Sequence, residues 1–200
     1  MKSPFMKSVF KALFIIVFII NTSVLQAQGV TRFWTGLGTD NSWFTPSNWT
    51  PPGVPDTLDK VQINMTNGET ISIYARDNLN TSIQFEELFV TGDSSTKLTL
   101  YVDSMSVYGN EINFGETNLD IFSTDTSNSN ATNARANLFI SDDCSLTNDL
   151  IDGGLMYLNI HVDSGTALIF VDDFKSTNTD LYINGKVEIY NKVLNVGKIE

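Results

Sequence analysis

The chain has 200 residues, of which 12 are Lys or Arg and 23 are Asp or Glu, so its formal net charge is −11 at neutral pH. Such an acidic chain is not expected to bind nucleic acid, because contact with phosphates needs a basic face. Cys144 is the only cysteine, which excludes the disulfide-stapled class of small secreted domain. It is predicted to be a small buried hydrophobe.

Residues 1–28 are predicted to be a secretory signal peptide. Three lysines precede an apolar run from Ala12 to Ile20, and polar residues with Ala27 follow it. This order of charge, apolar core and small residue is typical of export signals, and the run is shorter than the roughly 20 residues that span a bilayer. Removal of 1–28 would leave nine basic and 23 acidic residues. We therefore expect an exported chain without an integral membrane segment.

The segment 29–63 is predicted to be an N-terminal cap. It holds all three tryptophans, Trp34, Trp43 and Trp49, and four of the five prolines of the chain. Large aromatic rings can cover the open end of a β stack, while prolines restrict its turns. The same three rings could instead form a platform on which sugar rings stack, since aromatic faces are large and apolar. They are therefore the candidate glycan-binding residues.

The remainder, 64–200, is predicted to be all-β. Asn, Ser and Thr make up 59 residues of the chain, which suits exposed strand faces and tight turns. A polar stretch at 123–137 is predicted to be a long protruding loop. Apolar and polar residues alternate with period two, which predicts strands, in nine runs. These are Val61–Ile63, Ile71–Ile73, Leu98–Val102, Leu119–Ile121, Leu138–Ile140, Leu158–Val162, Leu181–Ile183, Val187–Ile189 and Leu194–Val196.

Two architectures fit these strands. Five leucines lead successive alternating runs at steps of 21, 19, 20 and 23 residues, which indicates a solenoid whose coils stack on one another; they are Leu98, Leu119, Leu138, Leu158 and Leu181. Against this, the pairs Asn67-Gly68 and Asn184-Gly185 lie between alternating runs, and Asn-Gly is typical of two-residue hairpins. Hairpins would give an antiparallel β-sandwich or jelly roll.

The cap carries a resemblance to a known group of proteins. Its residues Trp34-Thr35-Gly36, Trp43, Asn48-Trp49, the prolines that follow, and Asp59-Lys60-Val61-Gln62-Ile63 resemble the start of exported bacterial surface proteins. These are common among Bacteroidetes and often carry a type IX secretion signal. The resemblance implies a right-handed parallel β-helix, similar to adhesin and autotransporter passengers, in which Asn-Gly pairs form corners. It also implies a structural or adhesive role at the cell surface, with extracellular glycans or cell-surface proteins as partners.

The coils are expected to continue beyond the given sequence. The strand-like run from Val193 to Val196 leads directly to Glu200, with no segment that resembles a C-terminal cap. An open solenoid end would expose apolar surface and unpaired backbone. We therefore expect the 64–200 coils to be a truncated part of a longer protein.

Candidate chemical groups are few, and no catalytic or cofactor-binding residue is predicted. His161, the only histidine, falls on the polar side of its strand and is expected to be exposed, without partners for a zinc site or a catalytic triad. Carboxylates could gather calcium through loop oxygens, although solvated turns are the preferred interpretation of the acidic residues concerned. These are Asp142, Asp143, Asp149, Asp152, Asp172 and Asp173.

An enzyme that acts on extracellular polysaccharide, or a carbohydrate-binding module, is the alternative function. Glu86, Glu87 and Asp103 would have to supply its acids, but adjacent strand residues such as Glu86 and Glu87 point to opposite faces. A lyase would also need a base, and no motif joins the available arginines to these acids; they are Arg32, Arg76 and Arg135. The scaffold interpretation is therefore preferred.

Overall fold

The computed structural model describes residues 29–76, 82–123, 135–147, 158–171, 174–190 and 194–200. Within them the regular secondary structure is almost entirely strand, with a single turn of 3₁₀ helix at Pro46–Asn48. The predicted signal peptide and the acidic residues Asp149, Asp152, Asp172 and Asp173 lie outside the described residues. Among the described residues, no helix has the length and apolar character needed to cross a membrane.

Seventeen strands follow one another through the described residues. They are β1 Thr31–Trp34, β2 Trp49–Thr50, β3 Lys60–Asn64, β4 Thr70–Tyr74, β5 Ser82–Phe85, β6 Glu87–Thr91, β7 Lys97–Tyr101, β8 Ser104–Val107, β9 Glu111–Asn113, β10 Asn118–Phe122, β11 Ala136–Ile140, β12 Cys144–Thr147, β13 Leu158–Val162, β14 Ala167–Phe170, β15 Phe174–Ile183, β16 Lys186–Ile189 and β17 Leu194–Ile199.

These strands form three sheets, which are the sides of a β-solenoid. Sheet A has the order β16-β14-β12-β9-β6-β3-β1-β2, sheet B the order β10-β7-β4, and sheet C the order β17-β15-β13-β11-β8-β5. Strands β3, β4 and β5 belong to sheets A, B and C in turn, and β6, β7 and β8 repeat that path one coil later. Neighbouring strands are parallel except for β1 and β2. The predicted parallel solenoid is confirmed, and the antiparallel sandwich is not what forms.

Both Asn-Gly pairs are corners between sheets, so the hairpin interpretation is wrong. Asn67 and Gly68 connect β3 in sheet A to β4 in sheet B, and Gly68 has a φ of +76°, in the left-handed region that favours glycine. The hydroxyl of Ser95, in the next coil, accepts a hydrogen bond from the Gly68 amide at 2.9 Å and donates one to Asn67 Oδ1 at 2.5 Å. The corners thus stack on one another, as the strands do.

The interior is filled by columns of aliphatic side chains, one from each coil. In sheet C the inward column consists of Ile83, Met105, Leu138, Ile160 and Leu181, which pair in register and are at most 1% exposed. A strand buries alternate residues because successive side chains point to opposite faces. The period-two runs therefore predicted the inward positions of Leu138, Ile160 and Leu181 correctly.

The leucine period combines two different distances. Leu98 and Leu119 are partners in adjacent coils of sheet B, so their step of 21 residues is a true coil length. Leu119 and Leu138 instead lie in β10 and β11, on different sides of one coil. Leu138 pairs with Ile160, two residues past Leu158. The solenoid prediction was right, but only some of the steps that suggested it measure a coil.

The predicted polar loop at 123–137 ends two residues earlier than expected. Ala136 and Asn137 are the first residues of β11, and Ala136 is fully buried. The side chains of Ala136, Leu138 and Ile140 all point inward. The small apolar side chain of Ala136 therefore begins the strand pattern within the stretch that was predicted to be a polar loop. Residues 124–134 of that loop are outside the described part of the chain.

The tryptophan-rich segment covers the first coil, as a cap should. Strand β1 pairs with β3 in parallel and with β2 antiparallel. Trp43 and Trp49 are 0% and 1% exposed, and their rings meet edge to face with centroids 4.8 Å apart. The last four residues of the predicted cap, 60–63, already belong to β3, Lys60–Asn64, in sheet A.

Candidate functional site

The outer face of sheet C carries two columns of side chains that run across successive coils. One column contains Ser82, Ser104, Asn137, Asn159 and Asp180, which occupy paired positions in β5, β8, β11, β13 and β15. The side chain of Asn159 donates a hydrogen bond to Asn137 Oδ1 at 3.3 Å, and the hydroxyl of Ser104 donates one to Ser82 Oγ at 2.5 Å. The first column is therefore a polar ladder along the solenoid.

The second column contains an aromatic ladder. Phe139, His161 and Tyr182 are paired one above another in β11, β13 and β15. The rings of Phe139 and His161 are stacked with centroids 4.8 Å apart and an interplanar angle of 15°. Those of His161 and Tyr182 are stacked at 4.9 Å and 13°. Both faces of the His161 ring are therefore covered, and only its edge is directed outward.

His161 lies on the outward side of its strand, as the sequence predicts, but it is half-buried rather than exposed. Burial lowers the pKa of its imidazole below the ordinary value, while the Asp163 carboxylate acts in the opposite direction. Nε2 of His161 lies 3.2 Å from Asn137 Oδ1, which links the aromatic ladder to the polar one. A neutral imidazole, stacked on both faces, serves here as an aromatic ring between two others.

A second aromatic ladder lies on the outer face of sheet B. Tyr74, Tyr101 and Phe122 are in register in β4, β7 and β10. The two tyrosine rings are 4.6 Å apart and parallel to within 2°, and Phe122 continues the stack at 5.8 Å. Neither ladder was recognised in the sequence. Their signal is an aromatic residue recurring at about one coil length on the polar side of the strands.

The three tryptophans do not form a platform for a sugar ring. Trp43 and Trp49 have no exposed face, and the rings of Trp34 and Trp49 are nearly perpendicular, at 78°. Trp34 is half-buried against the core. Sugar stacking needs a flat aromatic face open to solvent, so the rings in this arrangement act as packing for the cap.

The acids that could have served an enzyme are separated and paired. Glu87 forms an ion pair with Lys60 at 2.6 Å across sheet A, and Asp103 accepts a hydrogen bond from Ser123 at 2.7 Å. Each of the two described ion-paired arginines has its own acid: Arg32 binds Asp59 and Arg135 binds Asp180. Arg76 is exposed at the end of sheet B. Arg32 and Arg135 are therefore paired with acids other than Glu86, Glu87 and Asp103.

The candidate calcium ligands that are described belong to a corner. Asp142 and Asp143 precede β12, and Asp143 Oδ1 accepts a hydrogen bond from the Ala167 amide of the next coil at 2.8 Å. Among the described residues, no group of three or more His, Cys, Asp or Glu side chains is placed to hold a metal ion.

Cys144 is buried, as the sequence predicts. It is 1% exposed on the inward side of sheet A, and burial raises the pKa of its thiol to about 12. A thiol in this state is a poor nucleophile, because the thiolate is the reactive form.

The chain matches no protein-family model, no curated protein and no solved structure. A functional proposal therefore depends on the geometry of this chain alone. The outer face of sheet C is a regular surface, on which five neighbouring strands present the two columns described above.

Proposed function

We propose that this chain is an exported bacterial protein that acts at the cell surface as a structural or adhesive scaffold. The proposal rests on the polar and aromatic outer face of sheet C. Its outward side chains occupy paired positions in successive strands from β5 to β15. A surface of this kind offers many equivalent contacts spread over several coils, which suits an extended partner. Extracellular glycans and cell-surface proteins are the partners that such a location would present.

The polar ladder supplies the hydrogen-bonding groups of this face. Asn159 and Asp180 contribute amide and carboxylate groups beside the ring edges of His161 and Tyr182. The ring faces are already used between coils, so a glycan would contact ring edges and amides rather than stack. Individually weak contacts of this type become significant when repeated.

Export is tested by fractionation of the source cells. The expected result is protein in the outer-membrane or medium fraction, with a mature N-terminus at about residue 29, as signal-peptide cleavage requires. Protease treatment of intact cells should then degrade it. Protein that stays in the cytoplasm with its first residues intact would refute the surface location, and loss of secretion in a strain without the type IX system would identify the route.

Adhesion is tested with the purified protein on glycan arrays and on cells. Asn159→Arg places a long cation in the middle of the sheet C face and is expected to reduce binding roughly tenfold, because it obstructs contact across neighbouring coils. Gln62→Arg, at an outward position of sheet A, is the matched control and should bind as the unmodified protein does. Equal binding by both variants would show that sheet C is not the adhesive face.

A further inference from the structure

A cleft of about 490 Å³ lies between the cap and the first strand of sheet C. One wall is apolar and is formed by Phe44, Val54 and Pro55, with Trp43 behind them, and the other is formed by β5, including Ser82 and Gln84. The cleft shares Ser82 with the polar ladder of sheet C but lies at the outermost strand of that sheet, whereas the scaffold function is tested at Asn159 in β13, so the two can be judged independently.

The cleft lies beside the one sheet edge that the described cap leaves uncovered. In sheet A, β1 pairs with β3 and continues the sheet beyond the first coil. In sheet B, the amide of Trp43 donates to Tyr74 O at 3.0 Å, and the amide of Tyr74 donates to Asn41 O at 2.9 Å. In sheet C, β5 is the outermost strand, and among the described residues no further strand pairs with it.

The edge of β5 that no described strand pairs with faces this cleft. The Glu86 amide, just beyond β5, donates to Asp59 O of the cap at 2.8 Å, whereas Phe85 O accepts from the Tyr108 amide on the opposite side at 3.1 Å. In a parallel ladder the N–H and C=O of one residue point to the same neighbour, and alternate residues point the same way. The peptide groups of Ser82 and Gln84 therefore point to the side of the cap, as that of Glu86 does.

The cleft also borders an unpaired buried donor. Trp43 is fully buried, and its indole N–H has no hydrogen-bond acceptor among the described residues. The indole N–H of Trp49, by contrast, donates to Trp43 O at 2.7 Å. Buried donors are nearly always paired, because desolvation without a partner is costly. Because Trp43 lines the cleft, its indole signal reports on a ligand bound there.

We propose that this cleft binds an extended peptide segment of another protein, which adds to sheet C as a strand along β5. Main-chain hydrogen bonds to Ser82 and Gln84 would hold the peptide, and the wall of Phe44, Val54 and Pro55 would receive its alternate apolar side chains. Asp56 at the rim favours a peptide that carries Lys or Arg. A glycan fits less well, because the buried Trp43 ring offers no open face for stacking.

The test uses a panel of acetylated heptapeptides with lysine at both ends and threonine alternating with valine, isoleucine or phenylalanine. At least one is expected to bind the full chain below about 1 mM. Binding should slow hydrogen exchange at the Gln84 amide and shift the Trp43 indole N–H signal in NMR spectra, which a Trp43→Phe variant assigns. The same peptide with N-methyl groups along its backbone should not bind, because it cannot donate to the edge of β5.

A variant pair separates backbone pairing from side-chain contact. Gln84→Pro removes the N–H that faces the cleft, at an edge position where proline is tolerated, and is expected to weaken binding roughly tenfold. Gln84→Ala keeps that N–H and should bind within about twofold of the unmodified chain. If Gln84→Pro does not fold, the N-methylated peptide still decides the question.

Several results would overturn the proposal. One is that no peptide binds. Another is that a peptide binds equally well to Gln84→Pro or after N-methylation of its backbone. A third is that the protection from hydrogen exchange lies away from β5. Displacement of the Trp43 indole signal by maltohexaose and by none of the peptides would instead assign the cleft to a glycan. Pairing of β5 with a second copy, seen as protection of Gln84 that depends on protein concentration alone, would assign it to self-association.

Discussion

The rings of Tyr74 and Tyr101, one coil apart on sheet B, lie parallel to within 2° with their centroids 4.6 Å apart. Tyr101 also contacts Phe122 of the next coil, so it takes part in two ring contacts, whereas Tyr74 takes part in one. Comparing the loss of stability when each tyrosine is replaced therefore measures how much an outer-face ladder contributes to coil stacking.

Tyr101→Ser is expected to lower the free energy of unfolding by about 1–3 kcal/mol, and Tyr74→Ser by about half as much, since each ring pair contributes about 0.5–1.5 kcal/mol. Urea unfolding followed by tryptophan fluorescence measures both values. Ser72→Ala, at a neighbouring outward position of β4, is the control and should change stability little. Equal losses for both tyrosine variants would mean that the second ring contact of Tyr101 adds nothing to coil stacking.

Asn48 is expected to be the residue on which the cap depends most. It is fully buried, and its amide donates to Asp40 O at 2.8 Å and Ser42 O at 2.9 Å, while its Oδ1 accepts from the Gly38 amide at 2.7 Å. Asn48→Ala leaves these part-buried backbone groups without that partner and should cost about 1–3 kcal/mol of stability, the range for loss of a hydrogen-bond partner.

The control for Asn48 is Ser47→Ala, since Ser47 is exposed beside it and its substitution should be nearly neutral. Thermal unfolding of both variants, monitored by near-ultraviolet circular dichroism of the buried Trp43 and Trp49, measures the difference. Similar melting temperatures for the two variants would contradict the role of Asn48.

The pH dependence of stability is expected to contain a contribution from His161. Its pKa is lowered in the folded chain, first by burial, so the unfolded chain binds a proton at a pH where the folded chain does not. The contribution of His161 to the free energy of unfolding is therefore greatest above the unfolded pKa of about 6.5. As the pH drops below that value, the free energy of unfolding falls by at most about 1.4 kcal/mol per pH unit.

His161→Gln removes this titration. Urea unfolding between about pH 7.5 and 5 should show a steeper loss of stability for the unmodified chain than for the variant. Parallel curves would indicate that the His161 pKa is the same in both states.

Gly185 is expected to tolerate no side chain, because two coils approach closely at its corner. A Cβ atom there would lie 2.3 Å from Asp163 O and 2.4 Å from Thr166 O, both backbone atoms. Gly185→Ala should therefore cost about 1–3 kcal/mol through overpacking. At Gly68 nothing lies within 4 Å, so Gly68→Asn, which tolerates a positive φ, is the matched control with little expected loss.

Cys144 is expected to be unreactive towards Ellman's reagent in the folded protein. With a thiol pKa of about 12, only about one molecule in ten thousand carries a thiolate at pH 8, and the side chain is buried. Full labelling should follow addition of denaturant. Rapid labelling of the folded chain would show that sheet A opens near β12.

The local pattern of apolar and polar residues determined, from the sequence alone, which side chains of a strand point inward and where a cap lies. Alternation along β13 places Ile160 inward and His161 outward, because successive strand residues point to opposite faces whatever the fold. The concentration of Trp and Pro near the N-terminus indicated a cap for a similar reason, since large rings seek burial and Trp43 and Trp49 find it. Such properties depend on residues that are adjacent in the chain.

Only the tertiary structure decided which residues meet across coils. Phe139, His161 and Tyr182 form a ladder because the coil lengths bring β11, β13 and β15 into that register, and coil length varies with each corner and loop. The two Asn-Gly pairs became corners for the same reason: an Asn-Gly turn permits either a hairpin or a change of sheet, and the pairing of distant strands selects between them. The open edge of β5 and the cleft beside it likewise depend on where the cap ends, which is a property of packing and not of the local sequence.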